Sequence, residues 1–354
     1  MSVPSSNAAP ASLITRRLAG LDPDNFEPHR LHSDDPAWAN TNCYTDVWIE
    51  LLSALHLDPL PAMSCAVSSQ FCGDQWEFLK PRSQDLEKLY GLRFGEYLIW
   101  KPITEHLAAQ FELGNFAMVE VDSYYLPDTA GTSYRTEHGK TSIIPLSLDP
   151  VAGRLSYLHN SGLYRLEGED FQATLGTSAV HGFVPSPYVD LIDTAGLKRL
   201  DPAELLAAAE EVFAGHLRRI ADSSQAQPMR RLADYLGRQA APLTEHGLPY
   251  FHQLAFATTR QAGLAAMLAA EFCRWLSAAR AGQSGTLHDA GQPDELLRAA
   301  AAFRACSDSA KQLQFKLARF ASGRSTSTES ELAAMPTHWE TAIGILQNDP
   351  AAHG

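Results

Sequence analysis

Between residues 115 and 168 the chain carries four short runs unsuited to a helix: "NFAMVEVD" (115–122), "KTSIIPLSL" (140–148), "RLSYLHN" (154–160) and "GLYRLEG" (162–168). Each is rich in β-branched or aromatic residues, and "DPVAG" (149–153) supplies turn chemistry between the second and third. Runs so close together pair most directly by folding back, so they predict an antiparallel meander. The flanking text is helical. Val47, Trp48, Leu51, Leu52 and Leu55 form one apolar stripe, which "HLDPLPA" ends because proline cannot continue a helix. Short helices are expected over 62–72 and 84–91, the second with Gly91 just past its end. After about residue 186 come four Ala- and Leu-rich stretches with apolar residues three and four apart, separated by polar, Gly-bearing linkers at 280–294 and 321–330. The fold class is therefore α+β: an N-terminal helix with an antiparallel sheet, followed by a C-terminal helical bundle. The expected division is a loosely attached arm over 1–36, an α+β domain over 37–185 and a helical domain over 186–354.

Composition removes several functions. The net charge of −13 disfavours nucleic acid or an anionic membrane as the main partner. No stretch approaches the roughly 18–20 apolar residues of a membrane span, and the N-terminus lacks a signal-peptide core. Five cysteines, an odd number without paired spacing, fit free thiols in a reducing cytoplasm.

The sharpest candidate for chemistry is Cys43, in "TNCYTDVWIELL". A thiol at a helix start sits where unpaired N–H groups and the helix dipole favour the thiolate, the attacking species. The same N–H groups can hold an oxyanion. The plain alternative is a buried structural cysteine, the reading given to Cys65, Cys72, Cys273 and Cys306 in their apolar stretches. A nucleophilic cysteine needs a base and the base an orienting partner. His138 stands at the mouth of one predicted strand; His159 and Asn160 stand at the end of the next, beside it in an antiparallel hairpin. Adjacent strand residues face opposite ways, so His159 and Asn160 cannot both point at His138. The order Cys43, His138, Asn160 is papain-like.

Supporting candidates are Asp122, which suits the catalytic histidine, a substrate amine or a turn cap, and Asp128 on the same strand-to-loop transition. Asp74 and Gln75 lie in a loop, Gln75 as an oxyanion donor; Trp76, Tyr124 and Tyr125 are candidates to line the substrate pocket. Cys43, His138, His159 and Asp122 are also competent zinc ligands, but no paired spacing supports a metal and none is expected. Phosphate loops, nucleophile elbows and dinucleotide fingerprints are absent.

With those motifs in place, "NCYTDVWIELLSALHLDP", "GDQWEFLKP", "EVDSYYLPDTAGTSYRTEHGKTSI", "YLHNSGLYRL" and "FATTRQAG" resemble a bacterial domain family of unknown function over roughly residues 30–320. The resemblance implies gene neighbourhoods with carrier proteins and amino-acid:carrier-protein ligases. The element order is also similar to the butirosin-type acyltransferases, whose papain-like core moves an acyl or aminoacyl group from a carrier-protein thioester to an amine. Carried over by position, this implies Cys43 as acyl acceptor, His138 as base and Asn160 as orienter, where many relatives have aspartate. It further implies a papain-like catalytic domain over 37–185, no bound cofactor, and a substrate on the phosphopantetheine of a carrier protein. A cysteine hydrolase with the same residues, and a non-catalytic module that holds a carrier protein, are the competing expectations.

Overall fold

The computed structural model describes residues 10–34, 36–175, 187–222, 227–284 and 294–349. The chain divides into two compact units: residues up to 58 with 86–199, and residues 59–85 with 200 onward. The boundary expected at 185/186 thus falls at 199/200, and 59–85, read as part of the α+β domain, belongs with the helices.

The first unit contains helices α1 (Pro10–Ala19), α2 (Arg30–Ser33), α3 (Cys43–Ala54), the end of α4 (Ser83–Tyr90), α5 (Ile103–Leu113) and α6 (Gly168–Thr174). Its strands are β1 (Arg93–Glu96), β2 (Phe116–Asp122), β3 (Lys140–Asp149), β4 (Arg154–His159), β5 (Gly162–Glu167) and β6 (Val189–Asp193). They form one sheet in the order β1-β6-β2-β3-β4-β5, every neighbouring pair antiparallel. The expected meander is β2 to β5. β6 lies beyond the expected domain limit and enters between β1 and β2, with Ala117 opposite Leu191. The stretch expected as a loose arm over 1–36 contains packed helix. Residues 10–19 form a helix whose Leu18 is buried and whose Thr15 hydroxyl donates to the Phe111 carbonyl.

Side chains alternate across this sheet. On one face Ala117, Val119, Val121, Ile143, Leu155, Tyr157 and Leu166 pack with Ile103 and Leu107 of α5 and Phe171 of α6. The other face carries α3. Its Trp48 ring lies 5.0 Å from Phe94, and its Tyr44 hydroxyl donates to Asp190 at 2.7 Å. Phe94 and Asp190 share that face, since Phe94 pairs with Ile192, two residues from Asp190.

The second unit begins with a 3₁₀ run over Leu60–Ser68 where an α-helix was expected. It continues with α7 (Pro202–Asp222), α8 (Pro228–Gly237), α9 (Ala240–Ala255), α10 (Gln261–Ser284), α11 (Glu295–Ala321) and α12 (Glu329–Leu346). A π-turn, Phe256–Arg260, joins α9 to α10 within "FATTR". Its extra residue frees the Ala257 carbonyl, which accepts the Trp76 N–H at 2.8 Å. Ser68, His216 and Asp85 form a buried hydrogen-bonded row, His216 Nδ1 2.7 Å from the serine Oγ and Nε2 3.1 Å from the aspartate. Among the described residues no helix is long and apolar enough to cross a membrane.

Candidate functional site

The start of α3 is built by Asn42, whose side-chain oxygen accepts the Thr45 N–H at 3.0 Å. This cap places Cys43 at the first helical position, partly exposed and with a free thiol. The helix end is held in register by α2. His32 bridges Glu50 (Nδ1 to Oε1, 2.5 Å) and Asp46 (Nε2 to Oδ1, 3.2 Å), and Glu50 also accepts the His29 N–H. Burial alone would push the His32 imidazole down, but its bonds to Asp46 and Glu50 outweigh this and pull it up to about 9. It is an imidazolium wedged under the first two turns of the helix that bears the thiol.

Asp122 closes β2 and pairs with Lys140 in register. Its parity with Met118, opposite Asp190, puts it on the face that α3 covers. One carboxylate oxygen accepts the N–H groups of Tyr124 (3.0 Å) and Gly139 (3.1 Å); the other bonds His138 Nδ1 at 2.6 Å. Partial burial raises the Asp122 carboxyl, and the bonds from His138, Tyr124 and Gly139 overcome it, leaving the group below its usual range. With Nδ1–H spent on Asp122, His138 Nε2 carries the free lone pair of a base. The Tyr124 ring stacks on the imidazole at 4.2 Å and 12°, with Tyr125 at its edge. Arg135 lies over Tyr124 and Tyr125 and is ion-paired with Asp170.

The strand directions bring these pieces to one end of the sheet. Antiparallel pairing places the end of β2, the start of β3 and the β4–β5 turn together. The segment entering α3 reaches the same end, where Ser161 of that turn donates to Asn40 at 3.1 Å. Cys43, Asp122 and His138 therefore belong to one face and one end of the sheet.

Three expectations need correction. His138 is held by Asp122, not Asn160. Asn160 occupies the left-handed position (φ 49°) of the two-residue turn between His159 and Gly162, a place asparagine tolerates. His159 points to the α5/α6 face, 1% exposed, bonded to Asp128 at 2.5 Å and Thr141 at 2.7 Å; Tyr157 completes the row by donating to Asp128. That is an interior polar network on the face opposite α3. Asp74, Gln75 and Trp76 fall in the second unit: Asp74 and Gln75 are exposed, while Trp76 is buried edge-on against Trp339 at 5.6 Å. The thiols also differ from expectation. Cys65, Cys273 and Cys306 are buried, with burial pushing their thiols up, but Cys72 is exposed in the 71–76 turn. No metal-ligating cluster occurs among the described residues.

Sequence patterns alone assign no role to His32, Asp46, Glu50 or Arg135. The available signal was a pair of acids, Asp46 and Glu50, placed four apart on an otherwise apolar helix, where isolated carboxylates are costly without a cation.

Fold and site together define an α+β protein with a helix-start thiol and a His–Asp pair on one sheet face, followed by a helical region. The chain belongs to the DUF1839 family: residues 27–194 match the DUF1839 N-terminal domain and residues 202–348 match the DUF1839 C-terminal domain. No curated protein matches it.

Proposed function

We propose that this protein is a cysteine-dependent acyltransferase with a papain-like catalytic unit, in which Cys43 accepts an acyl or aminoacyl group from a carrier-protein phosphopantetheine thioester. The observation that carries the reading is the shared position of Cys43 and the Asp122–His138 pair on one face and one end of the sheet. His138 Nε2 takes the thiol proton, and the Cys43 sulfur attacks the thioester carbonyl. The Cys43 N–H, which the Asn42 cap leaves unused, is the natural donor to the oxyanion. Collapse breaks the carbonyl–sulfur bond of the donor, and the departing thiolate takes the proton from His138. An amine then attacks the acyl-Cys43 carbonyl, His138 receives its proton, and the cysteine returns as thiol. Asp122 holds the imidazole in the tautomer required. The carrier protein as donor rests on the family resemblance, and a thioester suits a site without an evident strong acid for the leaving group.

The test is intact-protein mass spectrometry after mixing with aminoacyl-loaded carrier protein. The expected result is a mass gain on Cys43 that Cys43→Ser abolishes and added amine discharges as the amide. Discharge only as free acid in the presence of hydroxylamine makes the protein a hydrolase. A chain that never gains mass at Cys43 refutes covalent catalysis.

A further inference from the structure

On the sheet face opposite α3 lies a hollow of about 430 Å³, lined by Tyr97, Trp100, Ile103, Leu107, Ala117 and Leu191, among others. Its rim is unusually apolar for a surface: Leu98 is 86% exposed, Trp100 79% and Tyr97 56%. Contiguous apolar groups left in water around a concavity mark a binding place.

Two polar groups are unspent among the described residues: His106, which lines the hollow, and Lys101, which adjoins it beside Trp100. His106 Nε2 accepts the backbone N–H groups of Trp100 and Lys101, both at 3.4 Å. An imidazole that accepts at Nε2 is neutral and carries its proton on Nδ1, for which no acceptor is present among the described residues. Burial, and then Lys101, push the His106 imidazole down, in keeping with the neutral ring. Lys101 sits with its ammonium 5.6 Å from the Trp100 ring centroid and meets no carboxylate among the described residues, in a protein with 41 acidic and 28 basic residues. Glu105 is the acid acting on His106, and Lys101 acts on it more strongly.

An apolar floor, an aromatic wall, one N–H donor and one unpaired cation form a set with a definite complement. We propose that this hollow binds a small hydrophobic carboxylic acid, its apolar body over Ala117, Val189 and Leu191 and its carboxylate toward His106 and Lys101. The site lies on the other face of the sheet from Cys43 and stands independently of the acyl-transfer reading.

The probe is octanoate, added to the full chain and followed by calorimetry, with octanol and octylamine as matched ligands. Octanoate is expected to bind saturably, octanol about fivefold more weakly and octylamine weaker still. Lys101→Gln is expected to bring octanoate to the level of octanol, and Trp100→Ala, a change at an exposed side chain that leaves folding intact, to weaken both. Equal binding of the three amphiphiles overturns the proposal, because the surface is then merely greasy. So does octanoate binding that Trp100→Ala leaves unchanged, or an absence of saturable binding.

Discussion

Asp122→Asn isolates the part of the proposed chemistry that depends on charge and tautomer. One Asp122 oxygen accepts two backbone N–H groups, from Tyr124 and Gly139, so in the variant the amide oxygen is drawn to that position. The amide nitrogen then faces His138 Nδ1, which must accept rather than donate, and the imidazole proton moves to Nε2. The loop keeps its backbone bonds while the base loses its lone pair. In a fully buried triad such a change costs about 10⁴ in rate. Here the imidazole is 67% exposed and the carboxylate 34%, so water replaces part of the contact and allows the ring to turn over. The expected loss is therefore about 10²-fold in the acylation rate of Cys43, the lower end of general-base effects. The assay is single-turnover acylation by a small N-acetylcysteamine thioester, read by mass spectrometry of the Cys43 peptide across pH. Thermal stability serves as the control for folding. An Asp122→Asn rate equal to the native rate, in a protein of native stability, refutes the assignment of Asp122 and His138 as orienter and base.

Other consequences are equally open to measurement. Because His32 is raised from its ordinary value to about 9, its stabilising charge is fully present below pH 6.5 and is lost as pH rises through about 9. Chemical denaturation should find stability falling by on the order of 3 kcal/mol across that alkaline window, and a flat profile counts against the wedge. His32→Gln leaves Asp46 and Glu50 buried without their cation, and denaturation should show a loss of about 3–5 kcal/mol. Iodoacetamide should modify only Cys43 and Cys72 in the folded protein, with Cys65, Cys273 and Cys306 reacting after denaturation; peptide mapping reads the order. Gly91 has φ 70°, and a Cβ there would lie 1.8 Å from the Gly196 carbonyl oxygen, so Gly91→Ala should lower stability by about 3 kcal/mol or more, measured as a shifted denaturation midpoint.

What the sequence made legible follows the range of the forces involved. Period-two runs and their turns predict β2 to β5, and proline and glycine punctuation places α3 and α4, because these are local effects. β6 is not legible because "VDLID" is five residues long and acquires strand character only from neighbours 70 or more positions away. At the site, Cys43 and His138 are legible from their places at element ends: Cys43 opens α3 and His138 stands just before β3. The hairpin rule looks forward from His138 to Asn160, whereas Asp122, the other candidate partner of the histidine, lies behind it in the chain. The chain instead closes the 123–139 loop backward onto Asp122, whose two backbone acceptor bonds cost little at the mouth of such a loop. The burial of Trp76 is not legible because a lone tryptophan beside "GDQ" carries no sign of Trp339, its packing partner.

The late arrival of β6 in second place across the sheet has a bearing on how this protein is made. A ribosome has released four strands of the meander before the one that joins β1 to β2 emerges, and until then Tyr44 waits for a partner 146 residues downstream. The N-terminal unit is thus the slow, non-local part of the molecule to assemble. A shortened gene ending at residue 185 would yield a sheet with its second row missing, and such a fragment should be recovered as aggregate rather than as an isolated folded unit.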